Sequence, residues 1–504
     1  MEILNNSYTK VEEIFKACEY ITDQKEKDII TLAYEKGKCA HEGQMRKSGE
    51  PYFNHCIATA INIGRQRMDY ETICAGLMHD TLEDTEYKKE DMILDFGNTI
   101  TNLVEGVTKL GHVRYQGVER HVESLRKFFI AASDDIRVVV VKLCDRMHNI
   151  ETLEHVREDK RKRIALETLE IHARLADRLG MGRLKAELED GCFPYVYPAE
   201  YKKTLAILKD LKEGQDKIGD IEILEKVAKN LESELKILEV NIERVDHRVK
   251  HLYSLWQKLK KYDYDIAKIN DIIALRIIVP NISDCYQALG VVHSLYKPKP
   301  NRFKDYISVP KPNGYKSLHT TIFTGNGESI EVQIRTRDMH AEAEYGIAAH
   351  INYKELGDGL SANKISSKLS GKTNWTKEIL DWQKDVSRHD EFMKHLKEDF
   401  FNHRVFIFTP KGDVIDLPDG STPLDFAYQI HSDIGDHALR AYANDKLVPF
   451  EYILKNRDIV KIEISEKAKP NRKWINYCKT QIAKRHIKSW LKANGGFVDR
   501  FLVK

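Results

Sequence analysis

The chain has 504 residues, with 80 Lys and Arg against 78 Asp and Glu, a net charge of +2 and 42% hydrophobic content. That length leaves room for about three domains of 100 to 200 residues, each with its own core, and the charge balance excludes a uniformly basic or acidic surface, so any nucleic-acid affinity has to come from local patches. No apolar run approaches the roughly 18 residues of a membrane span, the first thirty residues are too charged for a signal peptide, and the eight cysteines are scattered without a CxxC pair, as in a reduced cytoplasmic protein.

In chain order, Val11 to about Tyr197 reads as helical, with breaks at Gly49-Glu50-Pro51, Phe96-Gly97-Asn98 and Phe193-Pro194. Val138–Val141 is β-branched and would form a strand on propensity alone, but Asp134, Asp135, Lys142 and Asp145 flank it at helical spacing and predict a buried helix. The same region holds His55 near a helix start, His79-Asp80 at a helix end, Glu83-Asp84 one turn on, and Asp145. A lone buried histidine is usually structural; two imidazoles with two carboxylates match a borderline-to-hard metal ion that keeps positions open for water. Residues 201–240, rich in Lys, Glu and Leu, read as amphipathic connecting helices.

Further on, Lys250, Ser254 and Lys258 recur every four residues and predict a polar helix stripe opposite Leu252, Leu255 and Leu259. An ordinary solvated face fits the spacing as well. Two strand-like runs follow, Asp271–Val279 and Ser329–Arg335; the second alternates, with Ile330, Val332 and Ile334 on one face and Glu331, Gln333 and Arg335 on the other. Carboxylates at Asp271 and Glu331 can hold a hard divalent ion against a polyphosphate. Between the strands, Arg302–Thr321 gathers Lys304, Lys311 and His319 around Tyr315 on a loop broken by Pro310, Pro312 and Gly314. That suits a phosphorylated planar ligand, and a solvated basic loop equally. Residues 355–398 read as a connector. Arg404–Pro418 predicts a hairpin turning at Pro410–Gly412, followed by a helix over Pro423–His431 and a closing strand at Asp458–Ile462. The tail from Lys467 is strongly basic, with Trp474, Tyr477 and Trp490 interleaved; RNA contact and a solvated amphipathic helix both fit.

The ordered motifs RxKxxxSxxxK, DxxAxR, RFKDYIxxPKxNGYxSxHT, ExQIRT and Met339–His350 closely resemble the synthetase domain of the long Rel/SpoT-type alarmone enzymes. The resemblance implies pyrophosphate transfer from ATP to the 3′-hydroxyl of GDP or GTP, giving ppGpp or pppGpp. It implies Asp271 and Glu331 as catalytic residues and Mg²⁺ ligands, with Glu331 also the base for the 3′-hydroxyl. Arg248, Lys304, Lys311 and His319 would bind phosphates, Asn313 and Tyr315 would receive the guanosine nucleotide, and Lys250, Ser254, Lys258 and Gln333 complete the nucleotide-binding set.

His55, His79, Asp80 and Asp145, preceded by Arg46–Tyr52, resemble the HD-type hydrolase half of the same family. This implies those four residues as ligands of Mn²⁺, Glu83 and Asp84 as the groups handling the attacking water, and Arg46 and Asn149 at the nucleotide. Cys56 stands where the family commonly has proline. Intact ligands, together with a basic Arg302-Phe303-Lys304-Asp305 where synthesis-only members are acidic, imply both activities.

Residues 404–462 resemble a TGS domain, a β-grasp module, with His431 at the family's tRNA-contacting histidine. The fold class expected is therefore multidomain: an all-α HD-type domain (1–200), a helical connector (201–240), an α/β nucleotidyltransferase-like synthetase domain (241–355), a second connector (356–400), a small β-grasp TGS domain (401–466) and a basic helical tail (467–504). Expected partners are ATP, GDP or GTP, (p)ppGpp, and the ribosome with uncharged tRNA, with no membrane. The rival readings are one live activity with the other site a nucleotide sensor, and a non-catalytic ribosome- or tRNA-binding regulator.

Overall fold

The computed structural model describes residues 9–108, 130, 132, 134–213, 218–266, 269, 272–311, 313–325, 329–351 and 404–494. These fall into two compact units, divided between Asp385 and Val386.

The first unit opens with a helical domain built around Phe53–Arg65, which packs on Tyr70–Met78 and Arg137–Glu151. The Val138–Val141 run is buried inside the last of these helices, as its flanking charges predict. Tertiary burial overrides β-propensity there, because a helix in the centre of a helical layer needs apolar residues on every side. Gly97 (φ +76°) kinks the Lys89–Thr108 helix at the expected break. Pro194 does not end its helix, which runs Gly182–Val196. Phe193 and Val196 are buried there against Tyr253 and Trp256, and that burial offsets the backbone hydrogen bond a proline forfeits.

Pro198–Glu213 and Ile218–Ile237 connect to a five-stranded mixed sheet, β1 (Arg244–Val249), β2 (Ile273–Val279), β3 (Lys304–Asp305), β4 (Leu318–Phe323) and β5 (Ser329–Thr336), in the order β1-β2-β5-β4-β3. Only β2 and β5 run parallel. One face carries Leu275, Ile277, Ile330, Val332, Ile334 and Ile322 into a core closed by the Ile218–Ile237 and Ile282–Leu295 helices.

The helical stripe predicted over Lys250, Ser254 and Lys258 is only partly helical. Arg248 and Val249 pair with Ala274 and Ile273 in the sheet, and the helix covers Leu252–Lys261. Lys250 therefore precedes the helix, and its buried stripe is Tyr253, Leu255, Trp256 and Leu259 rather than Leu252.

The sheet and helical domains touch directly. Ile347 N–H donates to Leu179 O at 2.9 Å, and Gly346 (φ +58°) sits so close to Leu179–Met181 that a Cβ would collide with their backbone. The two domains thus meet through a non-covalent contact as well as through the covalent link of the two helices at 201–240.

In the second unit, the hairpin β6 (Arg404–Phe408) and β7 (Val414–Pro418) accompanies a sheet of β8 (Ala438–Ala443), β9 (Lys446–Val448) and β10 (Val460–Ile464), in the order β10-β8-β9. The closing strand starts two residues later than predicted. Asp458 instead accepts the Lys455 N–H and the Asn444 amide, each at 2.9 Å. Thr422 and Asp425 form a capping box on Pro423–Ile430. Buried Asp425 also accepts the Lys479 and Thr480 N–H groups at 2.9 and 2.8 Å, tying Arg472–Tyr477 and Gln481–Asn494 to the grasp helix. Trp474 is buried in that core and Trp490 packs against it, so neither ring serves as an exposed stacking platform. The connector after Ile351 and the tail beyond Asn494 lie outside the described residues.

Candidate active sites

The first centre lies where three helices of the helical domain meet. His55 is the third residue of Phe53–Arg65, His79 caps the C-terminus of Tyr70–Met78, Asp80 precedes Thr81–Asp84, and Asp145 projects from Arg137–Glu151. One ligand atom from each of His55, His79 and Asp80 lies within 4.8 Å of the others. Asp145 Oδ1 is 3.1 Å from His55 Nε2, while its other oxygen is 2.6 Å from Lys142 Nζ.

The hydrogen bonds fix which nitrogens face inward. His79 Nδ1 lies 2.9 Å from the Gly76 carbonyl, which can only accept, so Nδ1 donates and Nε2 is the nitrogen turned toward the carboxylates; against burial, Asp80 lifts this imidazole well above its ordinary range, so with no ion bound Nε2 carries a proton too. That Nε2 is buried and finds no aligned hydrogen-bond partner, 3.1 Å from Asp80 Oδ2. Arg46 can only donate, so His148 Nδ1, 3.0 Å away, accepts; His55 Nδ1 lies 2.8 Å from the same atom, and His55 Nε2 is turned toward Asp145 Oδ1. Inward nitrogens of two imidazoles converge with carboxylate oxygens, a donor set that fits a borderline divalent cation, whose binding would displace the His79 proton. Burial pushes both carboxyls up, but His79 and His55 hold Asp80, and Lys142 and His55 hold Asp145, below the usual carboxylate range. His148 is pushed down to about 3 by burial and by the neighbouring His55 and Arg46, and stays neutral.

Of the residues expected around this centre, Arg46 and Asn149 are bonded to one another at 3.1 Å, and Asn149 donates to Asp145 at 2.6 Å. Asp84 accepts from the Tyr52 hydroxyl at 3.3 Å, and Glu83 sits on the same short helix outside the three-residue cluster. Sequence reasoning missed Tyr52, which donates to Asp80 at 2.9 Å, and His148 and Lys142. The i+3 spacing of His148 from Asp145, and of Asp145 from Lys142, was the available signal for the last two; Tyr52 closes the Arg46–Tyr52 stretch of the motif, which gave its hydroxyl no role.

The second centre is the polar face of the five-stranded sheet. Strand register places Asp246, Arg276, Gln333, His319 and Lys304 in one row across it, and Arg248, Ala274, Glu331 and Thr321 in the next. Side chains two apart on a strand share a face, so the second row together with Gln333, His319 and Lys304 of the first floors a pocket of about 350 Å³, while Arg276 lines an adjoining cavity. The pocket brings together Arg248, Lys250, Ser254, Lys258, Lys304, Lys311, Tyr315, His319, Glu331 and Gln333. Asn313 lines instead the adjoining cavity, of about 460 Å³, between the two domains. Asp271 and Pro312 lie outside the described residues.

Inside the pocket, Glu331 Oε1 is 3.2 Å from His319 Nδ1 and accepts from Gln333 Nε2 at 2.8 Å, and His319 Nε2 is 2.7 Å from the Tyr315 hydroxyl. Burial raises the Glu331 pKa, but these hydrogen bonds and Lys250 overcome it and hold the carboxyl at about 2. Lys311 Nζ lies 4.8 and 4.9 Å from the Tyr306 and Tyr315 ring centres, so one face of Tyr315 already carries a cation. In the adjoining cavity sequence reasoning missed Arg276, His340 and Glu344, and gave Arg335 no role. Arg335 is fully buried, 3.3 Å from Glu344 Oε1 through Nη2, and its Nε and Nη1 lack hydrogen-bond partners.

In the second unit, His431 is exposed and caps Ser432–Asp436, its Nδ1 accepting the Asp433 N–H at 3.2 Å.

Comparison with known proteins gives three matches along the chain: an HD domain over residues 33–182, the region found in RelA / SpoT proteins over 247–358, and a TGS domain over 405–463. The chain is 44% identical to a GTP pyrophosphokinase of Myxococcus xanthus, over 92% of its own length and 60% of the relative's. It is 42% identical to a guanosine-3′,5′-bis(diphosphate) 3′-pyrophosphohydrolase of Aquifex aeolicus, and 41% identical to the bifunctional (p)ppGpp synthase/hydrolase SpoT of Escherichia coli, each over 92% of this chain and 64% of the relative. It therefore spans somewhat under two thirds of the length of these relatives. Among the described residues, no helix is long and apolar enough to cross a membrane.

Proposed function

We propose that the chain belongs to the RelA/SpoT family and that it carries two opposed activities. The second centre transfers the pyrophosphate of ATP to the 3′-hydroxyl of GDP or GTP, giving (p)ppGpp and AMP. The first hydrolyses (p)ppGpp to GDP or GTP and pyrophosphate. The observation that carries this reading is the cationic pocket on the five-stranded sheet: strand register brings Arg248, Lys304, His319, Glu331 and Gln333 to one face, and Lys250, the helix after it with Ser254 and Lys258, and the loop with Lys311 and Tyr315 complete the pocket around the Glu331 carboxylate.

In that pocket Lys250, Lys258, Lys304 and Lys311 neutralise and orient phosphates, and Glu331 holds Mg²⁺ with Asp271. Phosphoryl-type transfer needs positioning and charge neutralisation more than covalent help. With its carboxyl at about 2, Glu331 stays ionised at neutral pH. It is better suited to holding a cation and orienting His319 than to taking the proton of a 3′-hydroxyl, since an efficient base has a pKa near the working pH. At the first centre His55, His79, Asp80 and Asp145 hold Mn²⁺, which when bound lowers the pKa of water toward neutrality. Arg46 and Asn149 face the nucleotide, Glu83 and Asp84 accept protons from the attacking water, and Tyr52 steadies Asp80 and Asp84.

For the TGS unit we propose contact with uncharged tRNA on the ribosome through exposed His431, and a cytoplasmic location for the whole. Incubation with Mg²⁺, ATP and GDP should release AMP, and incubation with Mn²⁺ and ppGpp should release pyrophosphate. If neither product forms, the functional reading falls.

Tyr315→Ala is expected to weaken GDP binding about ten-fold, since stacking on an aromatic ring contributes roughly 1–3 kcal/mol per base. Calorimetric titration of GDP checks it, and unchanged affinity would move the base elsewhere.

A further inference from the structure

The helix that opens the second centre is not capped by its own chain segment. Leu252–Lys261 begins after His251, whose side chain makes no capping hydrogen bond. The first N–H groups of a helix have no partner within it and are ordinarily satisfied by a Ser, Thr, Asp or Asn at the N-cap. Here the partner comes from the helical domain. Asp190, on Gly182–Val196, accepts the Tyr253 N–H through Oδ1 at 2.9 Å and sits 3.1 Å from His251 Nδ1 through Oδ2. Its charge also lies at the positive end of the helix dipole.

The residues on either side of this contact are those that line the nucleotide pocket. Arg248 and Lys250 precede it, and Ser254 and Lys258 follow within two turns. The next residue on the carboxylate's own helix meets a different neighbour: a Cβ on Gly191 would stand 2.7 Å from Ile150 Cγ2, on the helix that carries Asp145. One helix of the hydrolase half therefore seats against the metal-site helix at residue 191 and holds the synthetase helix at residue 190.

We infer that Asp190, a residue of the hydrolase half, is a positioning residue of the synthetase centre, capping in trans the helix that presents Ser254 and Lys258 to the ATP phosphates. The inference rests on the functional reading above, and its mechanism is specific to hydrogen bonding. An amide oxygen accepts the Tyr253 N–H as well as a carboxylate does, and Asn is as good an N-cap as Asp; a methyl group accepts nothing.

The test compares Asp190→Asn and Asp190→Ala in the full chain. Loss of a cap weakens what the helix presents by about five-fold, so Asp190→Ala should raise the KM for ATP by about that factor, with kcat within about two-fold, as loss of uniform binding requires. Asp190→Asn should stay within about two-fold of the parent in both constants. Hydrolysis of ppGpp should be unchanged in both variants and shows that they fold. An unchanged KM in Asp190→Ala, or Asp190→Asn as impaired as Asp190→Ala, overturns the inference, as does a fall in kcat at constant KM. Calorimetric binding of inorganic tripolyphosphate, run alongside, separates this from failure of the functional reading. A parent chain that binds tripolyphosphate but makes no alarmone defeats the reading, while Asp190 is then judged on whether the Ala variant alone binds tripolyphosphate more weakly.

Discussion

Asp80→Ala is expected to abolish ppGpp hydrolysis while leaving alarmone synthesis intact. Asp80 is the one carboxylate in the three-residue cluster, and its Oδ2 lies 3.1 Å from His79 Nε2 and 3.7 Å from His55 Nε2. Removing it leaves two inward imidazole nitrogens with Asp145, which is already engaged by Lys142 and Asn149. Too few charged donors then remain to retain a divalent ion, and the water at the site returns to its bulk pKa. Hydrolysis should fall on the order of a thousand-fold or more, because that pKa difference spans several units. Mn²⁺ binding, followed by electron paramagnetic resonance, should weaken in parallel and needs no turnover to be seen. His79→Ala should behave alike. Synthesis persists because Glu331 and its cationic pocket belong to a separate domain with its own core. A metal-stripped Asp80→Ala protein that still hydrolyses ppGpp would show that His55, His79 and Asp80 are a structural cluster.

Periodicity and motif order carry different amounts of this structure. Alternation at Ile330, Val332 and Ile334 placed β5 and its two faces correctly, because one face of a sheet against a helical layer leaves an unambiguous period of two. Helical spacing likewise separated Val138–Val141 from a strand. What the sequence does not encode locally is which non-local partner ends an element. Lys250 fits a helical period, yet the helix starts at Leu252 because Ala274 and Ile273 claim Arg248 and Val249 and because a carboxylate 63 positions away caps Tyr253. The basic tail shows the same limit: its pattern fits RNA contact or a solvated amphipathic helix, and the burial of Trp474 beside an element tied to Asp425, some 54 residues earlier, is not written in either. At the sites, the ligand types were legible, but their bonding to Tyr52, His148 and Lys142 was not. Those partners are chosen by how three helices cross, which no single-element pattern specifies.

Glu331→Gln should cut synthesis by about a hundred- to a thousand-fold in kcat, the usual consequence of removing a charge or donor aimed at the reacting centre. The amide keeps the shape of the side chain and can still accept from Gln333 Nε2 and His319 Nδ1, now 2.8 and 3.2 Å from Oε1, so the pocket should keep its form. What disappears is a full negative charge facing Lys250, Lys304 and Lys311. Affinity for ATP and GDP should therefore change little or rise slightly, because those lysines lose a competitor for phosphate oxygens. The pH profile distinguishes the two roles open to this carboxylate. Held at about 2, it is ionised throughout the range in which the protein is folded and active, so a cation-holding Glu331 contributes no acidic limb to the profile of kcat above about pH 4. A limb near pH 6 to 7 in the parent that vanishes in Glu331→Gln would mean that substrate binding lifts the carboxyl into the range of a working base, and the proton of the 3′-hydroxyl would then go to Glu331 itself. Full turnover in the variant, with nucleotide affinity lost instead, would remove Glu331 from the reacting centre and leave it as a support for His319.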